Sequence, residues 1–205
     1  MLTLYYSPRT CSLAPYIALY EAGAEFTPYR VDFVAKEQNS DQYKKLNPKG
    51  RVPILVKDGQ VLSECVAILS YVAQAFPNKK LAPSDPFTNA QMVAFNAYLT
   101  ATVHVAHAHK RRGYRWADDQ ATIDGMKVKV AQNMGDCFTL IENEFLQGPW
   151  VMGSQLTVAD CYLFVFSGWL EGDGVDINKF PKVLDHYNRM KQRPAVIKAL
   201  AEHEI

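Results

Sequence analysis

The hydrophobic positions of the first eighty residues predict an α/β unit. Residues 2–6 (LTLYY) form a short apolar run rich in strand-favouring side chains, and residues 11–23 (CSLAPYIALYEAG) have the length and spacing of one helix. Ser12 is the expected N-cap of this helix, and Gly23 is its expected C-terminal stop. A second, alternating strand is expected at 27–34 (TPYRVDFV).

The clearest local signal is a hairpin, because two apolar runs are joined by Asp58-Gly59 in VPILVKDGQVLSE. This dipeptide tolerates the positive φ angles that a tight β-hairpin turn requires. A polar stretch at 37–47 precedes it and predicts a short helix and a loop. A helix from about 64 to 76 is expected after it, ending before Pro77.

The remaining chain has helical spacing throughout. A segment with three prolines, PNKKLAPSDPF, predicts a linker, and helices are expected at about 88–112 and 118–145 and as a pair around Pro194. The run LTVADCYLFVFSGWL is apolar on all sides, which predicts a buried helix that starts at a capping box formed by Thr157 and Asp160. We therefore expect an α/β domain at 1–80, a linker at 81–87 and an all-helical domain at 88–205.

Composition narrows the class of protein. The 205 residues are 48% hydrophobic and 21% charged, with a net charge of +1, so neither disorder nor a general attraction to nucleic acid is expected. No apolar run approaches the roughly 20 residues of a membrane span, and the first residues do not have the pattern of a signal peptide. Few, scattered cysteines favour a reducing cytoplasm over a disulfide framework. They are Cys11, Cys65, Cys137 and Cys161.

Cys11 stands at the predicted junction of the first strand and first helix. Amide protons and the positive end of the helix dipole stabilise a thiolate at such a position, which lowers the thiol pKa. A cysteine at this junction is typical of thioredoxin-like domains, but Ala14 replaces the second cysteine of a C-x-x-C motif. Monothiol chemistry, glutathione binding and a plain packing role all remain open.

Two hydroxyls near Cys11 are further candidates for catalysis. Ser12 either caps the helix or donates a hydrogen bond to a bound thiolate. Tyr6, at the end of the first strand, either packs as an ordinary aromatic residue or donates in the same way.

A second group of residues follows at Val52-Pro53 and Glu64-Cys65. In a thioredoxin-like arrangement, a cis proline at position 53 turns the backbone of the preceding residue toward the cleft, where it pairs with an extended peptide. Amides at the start of the third helix can hold a carboxylate, and the Glu64 side chain can hold an ammonium. Sulfur, peptide and α-amino-acid recognition together describe glutathione as the ligand.

The sequence resembles the cytosolic glutathione S-transferase family and is most similar to its bacterial beta class. The matching segments are YYSPRTCSLAPYIAL, NPKGRVPIL, LSECVAILSYV and SQLTVADCYLF. The resemblance implies a thioredoxin-like N-terminal domain, a helical-bundle C-terminal domain, glutathione as cosubstrate, no metal, and a homodimer.

The resemblance also implies roles for single residues. Cys11 matches the cysteine that forms a mixed disulfide with glutathione, Lys36 matches a contact to the glycyl carboxylate, and Glu64 with Cys65 matches the clamp on the γ-glutamyl group. Position 65 carries Ser in many relatives, so a hydroxyl donor is lost here. The glutathione-binding residues expected on this basis are Thr10, Cys11, Lys36, Arg51, Val52, Pro53, Glu64 and Cys65.

The histidine-rich segment HVAHAHKRRGYRW supplies the last candidate. The family implies one histidine that reaches the sulfur; alignment on Tyr98-Leu99 selects His107, whereas the His-Lys pair selects His109. We choose His107. A metal site is not expected, because no acidic or thiol ligand accompanies His104 and His107. The basic run 110–112 is interpreted as complementing a helix C-terminus.

These observations predict a glutathione-dependent transferase with Cys11, Ser12, Tyr6 and His107 as catalytic candidates. In conjugation, Ser12 or Tyr6 stabilises the glutathione thiolate; in thiol transfer, Cys11 forms a mixed disulfide. A non-catalytic glutathione-binding or partner-binding module on the same fold is the alternative. The sequence does not identify the electrophile or disulfide substrate.

Overall fold

The computed structural model describes residues 1–203. The strands are β1 (Leu2–Tyr6), β2 (Phe26–Arg30), β3 (Ile54–Lys57) and β4 (Gln60–Ser63). The helices are α1 (Leu13–Glu21), α2 (Asp41–Leu46), α3 (Cys65–Ala75), α4 (Pro86–Tyr98), α5 (His104–Arg112), α6 (Gln120–Leu140), α7 (Val158–Ser167), α8 (Pro181–Lys191) and α9 (Pro194–Glu202). The predicted order of an α/β part followed by a helical part is confirmed.

The N-terminal part contains one mixed sheet in the order β2-β1-β3-β4. β1 runs parallel to β2 and antiparallel to β3, and β3 and β4 form the predicted hairpin. Its turn residues Asp58 and Gly59 have φ angles of 49° and 81°. This is the left-handed conformation for which the dipeptide is suited. The sheet and helix order is that of a thioredoxin-like domain.

The start of α1 differs from the prediction. Ser12 already has helical backbone angles, and its side chain does not cap the helix. Its hydroxyl instead donates to the Ser7 carbonyl oxygen at 3.1 Å and accepts from the Ser7 amide at 3.2 Å. The helix start is held by backbone bonds from Leu13 and Ala14 to the carbonyls of residues 10 and 11. The serine therefore closes the loop that carries Cys11.

The two long predicted helices both contain a π-helical turn. A five-residue π segment, Leu99–Val103, joins α4 to α5, so that one continuous helical run extends from 86 to 112. A second π segment, Ile141–Phe145, extends α6, which passes through Gly125 and Gly135 without interruption. No helix in residues 1–203 is both long and apolar enough to cross a lipid bilayer.

Helix α7 is the centre of the helical part, and all ten of its residues are buried. Its N-terminus is held by Asp160, whose carboxylate accepts from the Thr157 and Val151 amides, each at 2.7 Å. Helix α1 packs between α7 and α9, and one hydrophobic cluster extends through both parts of the chain. The α/β part and the helical part are therefore joined by one continuous hydrophobic core.

Candidate active site

A cleft of about 690 Å³ lies between the loops of the sheet domain and the run from the first π segment through α5. Eight of the residues singled out from the sequence line it, and they come from four different parts of the chain. They are Thr10, Cys11, Arg51, Val52, Pro53, Glu64, Cys65 and His107.

Cys11 lies in the loop between β1 and α1, where it is 8% exposed. Its thiol points to the Val52 carbonyl oxygen, with Sγ and oxygen 3.8 Å apart. The pKa of this thiol is lowered by a hydrogen bond from the Cys65 side chain and by the Arg112 cation, against an opposing effect of burial. A lowered pKa favours the thiolate, which is the nucleophilic form.

Cys65 is the donor in this pair. Burial raises the pKa of its thiol well above the ordinary value, so it keeps its proton. Its Sγ also lies 3.5 Å from the carbonyl oxygen of Cys11. Behind the pair, the Tyr162 hydroxyl lies 3.0 Å from the Thr100 hydroxyl, and burial keeps Tyr162 protonated. Neither Tyr162 nor Thr100 was expected from the sequence, and both line the cleft.

The edge of β3 is fixed for backbone pairing. The Val52–Pro53 peptide bond is cis, as the resemblance implies. The preceding carbonyl, that of Arg51, accepts hydrogen bonds from the Tyr43 hydroxyl at 2.9 Å and from the Asn47 amide at 2.8 Å. These bonds hold the strand entry in place beside Cys11.

The start of α3 has an unusual backbone. Glu64 has a φ of 78°, a region that non-glycine residues rarely occupy and that is found at functional sites. Its carboxylate lies 2.6 Å from the ammonium of Lys49. The Glu64 carboxylate therefore already binds an ammonium group, that of Lys49, which fits the role expected for it.

Three of the predicted residues do not line the cleft. Ser12 is fully buried within its loop. Tyr6 packs toward the C-terminal end, where its hydroxyl lies 3.4 Å from the Glu202 carbonyl oxygen and its ring centre lies 4.6 Å from that of His203. Lys36 is exposed at the start of a 3₁₀ turn, and Gln38 from that turn reaches the cleft instead.

The three histidines of α5 do not all face the cleft, as expected from their spacing along a helix. His107 stacks on Trp169 with ring centroids 4.1 Å apart, and its Nδ1 lies 2.7 Å from the buried Asp173 carboxylate. His104 also lines the cleft, and burial together with Arg112 lowers its pKa to about 3, so its ring is neutral. His109 packs on Trp116 and does not line the cleft.

The basic run 110–112 lies in the last turn of α5, as interpreted from the sequence. Two of its members, Arg111 and Arg112, also line the cleft, together with Arg115, Arg9 and Arg51. Arg111 and Arg112 end α5, and Arg115 lies in the 3₁₀ turn that follows it. The cleft wall that they line could be recognised only once the domains were assembled.

The chain is similar to known glutathione S-transferases in both of its parts. The N-terminal domain model of glutathione S-transferases matches residues 1–74, and the C-terminal domain model matches residues 107–203. Glutathione S-transferase GstA of Escherichia coli O157:H7 is 30% identical, with 97% of this chain and 96% of that protein covered.

Solved structures of glutathione transferases are also similar to this chain. A glutathione transferase homologue from Sulfitobacter, with bound glutathione, is 43% identical, with a TM-score of 0.97 over 100% of this chain and 99% of that one. A bacterial beta class glutathione S-transferase from Sphingomonas chungbukensis is 32% identical, with a TM-score of 0.85 over 98% of each chain. With its two domain models matched in order and a cysteine-containing cleft between them, this chain belongs to the glutathione S-transferase family.

Proposed function

We propose that this transferase binds glutathione along the Val52 edge of the cleft, with the sulfur beside Cys11. The observation that supports this most directly is the meeting of three features in one cleft: an acidified thiol, a strand edge and a helix start. A tripeptide with a sulfur, a backbone and an α-amino-acid end needs these three features.

The γ-glutamyl end of glutathione would lie at the start of α3. Amide protons at a helix N-terminus hold a carboxylate, and the Glu64 carboxylate would hold the ammonium. At the other end, the glycyl carboxylate would lie near Arg51 and the glycyl N–H near Gln38. The Gln38 side-chain oxygen is buried without a hydrogen-bond partner among residues 1–203, so a ligand N–H there would satisfy it.

The chemistry is activation of a thiol. Arg112 and the Cys65 thiol lower the pKa of Cys11, and a glutathione sulfur in the same place would be stabilised as thiolate for the same reasons. Each pKa unit corresponds to about 1.4 kcal/mol of preference for the charged form. The Asp173 carboxylate orients the His107 ring, which faces this region from the helical wall and is placed to form a hydrogen bond with a bound substrate.

We propose Cys11, rather than Ser12 or Tyr6, as the protein group that meets the glutathione sulfur. The two hydroxyls lie outside the cleft, and Cys11 lies inside it. Cys11→Ala should lower turnover of a glutathione mixed disulfide by about 100-fold or more, because the attacking thiolate is removed. Conjugation to an aryl halide should fall less, since there the glutathione thiolate itself attacks.

The test is a steady-state comparison of the two substrates. Ser12→Ala, tested beside Cys11→Ala, separates the loss of the thiol from a disturbance of the loop that the Ser12 hydroxyl closes. Full retention of both activities in Cys11→Ala would contradict the assignment. Tight binding to immobilised glutathione without turnover of either substrate would favour a non-catalytic module instead.

The proposal extends to a homodimer, to a place in the bacterial beta class and to a cytoplasmic protein that detoxifies electrophiles. The four cysteines, all of them free thiols, suit a reducing compartment. Analytical ultracentrifugation would test the dimer, and a single species of monomer mass at micromolar concentration would contradict it.

A further inference from the structure

Five arginines surround the cleft, and they are unpaired with acids. Arg9 and Arg51 belong to the sheet side, and Arg111, Arg112 and Arg115 belong to the helical side. In the part of the chain from 1 to 203, the ion pairs within 4.0 Å include none of these five guanidinium groups. Arg112 instead donates to the neutral His104 ring at 3.2 Å.

The acids near the cleft are already engaged. Glu64 pairs with Lys49 at 2.6 Å. Asp173 lies 2.7 Å from His107 and 3.5 Å from Lys110. The positive charge of the five arginines is therefore not compensated by the described part of the protein.

Glutathione does not account for this charge. Its thiolate form has two carboxylates, one thiolate and one ammonium, so it brings a net charge of about −2 at neutral pH. One of its carboxylates is expected at the start of α3, away from the helical wall. Five arginines exceed what glutathione neutralises, and the excess is local, since the whole chain has a net charge of only +1.

The helical wall combines these cations with flat aromatic rings. Tyr114 and Trp116 line the same part of the cleft and are 63% and 47% exposed. Guanidinium groups bind carboxylates through paired hydrogen bonds, and exposed rings stack on planar molecules. Cations and rings on one wall therefore fit a planar molecule that carries a carboxylate.

We propose that the second substrate of this transferase is an anionic electrophile, a conjugated or aromatic molecule with a carboxylate that Arg111 and Arg115 bind. This inference rests on the proposed function, since it assigns a substrate class to the same cleft. Arg112 is set apart from this role because it lies beside His104 and acts on Cys11.

A matched pair of aryl chlorides tests the effect of the carboxylate. 2-Chloro-1,3-dinitrobenzene is neutral, and 4-chloro-3,5-dinitrobenzoate is the same molecule with a carboxylate added para to the chlorine. In both reactions the glutathione thiolate forms a carbon–sulfur bond, chloride leaves with the electron pair of the broken bond, and the thiol proton goes to solvent. We expect kcat/KM, divided by the uncatalysed rate constant for each compound, to be at least about 10-fold higher for the benzoate.

Two further measurements assign the effect to the arginines. Adding salt should reduce the preference for the benzoate, since exposed charges are screened. Replacing both residues, Arg111→Gln with Arg115→Gln, should reduce the preference by about 10-fold. Arg189→Gln removes the same charge from α8, where Arg189 pairs with Asp185 outside the cleft, and should leave the preference as it is.

Binding of the two products keeps the test independent of turnover. Calorimetry should show that the carboxylated dinitrophenyl conjugate of glutathione binds about 10-fold more tightly than the neutral conjugate. Equal affinities, or a preference for the benzoate that survives the double variant and high salt, would overturn the inference while leaving glutathione binding intact. Failure of glutathione itself to bind would overturn the proposed function, and the inference with it.

Discussion

At the scale of single residues, the pairing of Cys11 with Cys65 distinguishes this cleft from what the sequence pattern alone suggests. The family resemblance implies a serine hydroxyl at position 65, and this chain has a thiol there instead. This thiol is directed at Cys11, with its Sγ 3.5 Å from the Cys11 carbonyl oxygen, and its hydrogen bond lowers the pKa of the Cys11 thiol. The donor at position 65 therefore acts on Cys11.

Cys65→Ala should raise the pKa of Cys11, because the hydrogen bond from Cys65 is the largest factor that lowers it. The midpoint of iodoacetamide alkylation at Cys11 should then move to higher pH. Cys65→Ser is the matched control, since its hydroxyl also donates, and Cys11→Ala supplies the unreactive baseline. A midpoint that stays in place or moves to lower pH in Cys65→Ala would show that the Cys65 thiol does not stabilise the thiolate.

At the scale of elements, the π segment Leu99–Val103 links the helical wall to the sulfur site. Such π turns often occur at functional sites, because they shift the register of the side chains that follow. Here the segment directs Thr100 to the buried hydroxyl of Tyr162, and His104 begins the next helix on the cleft.

Thr100→Val should destabilise the fold by about 1 kcal/mol, because the Tyr162 hydroxyl loses a hydrogen-bond partner in a buried place. Thr102→Val, two residues along the same segment at an exposed position, is the matched control and should be nearly neutral. Urea unfolding of both variants measures the difference. Equal free energies of unfolding would mean that the Thr100–Tyr162 contact contributes nothing to stability.

Much of the element order followed from local pattern, and the exceptions have physical reasons. Turn chemistry at Asp58-Gly59 and the all-round apolar run of α7 act locally, so the sequence predicted both. Ser12 was predicted as a cap from residue type alone, but its hydroxyl is used in closing the preceding loop. The arginines of the helical wall complement a helix end by local rules, and only the assembled domains bring them to the cleft.

At the scale of the whole molecule, two histidines with lowered pKa values make the fold sensitive to acid. Burial lowers the pKa of His104 to about 3 and that of His203 to about 4. Both rings are therefore neutral in the folded state at a pH where the unfolded chain, with a histidine pKa of about 6.5, takes up protons. The free energy of unfolding should fall as pH drops below about 6.5, since the unfolded state then binds more protons.

Between pH 7 and pH 5 we expect a loss of about 1–2 kcal/mol from each of the two histidines. His203→Gln should remove part of this loss, since glutamine does not titrate and position 203 lies outside the cleft. Urea unfolding at both pH values tests the prediction. The histidine would be excluded as a cause if the variant lost as much stability on acidification as the unaltered protein.

The site around the Cys11 sulfur is built from both parts of the chain, which affects how domains of such proteins can be exchanged. The thiol of Cys11 belongs to the first part of the chain, but the Arg112 cation that helps to lower its pKa belongs to the second. In a chimera that joined residues 1–80 to the helical part of another family member, Arg112 and the residues that line the substrate pocket would both be replaced. The choice of the second substrate and the pKa of the Cys11 thiol would then change together, because both depend on residues of the helical part.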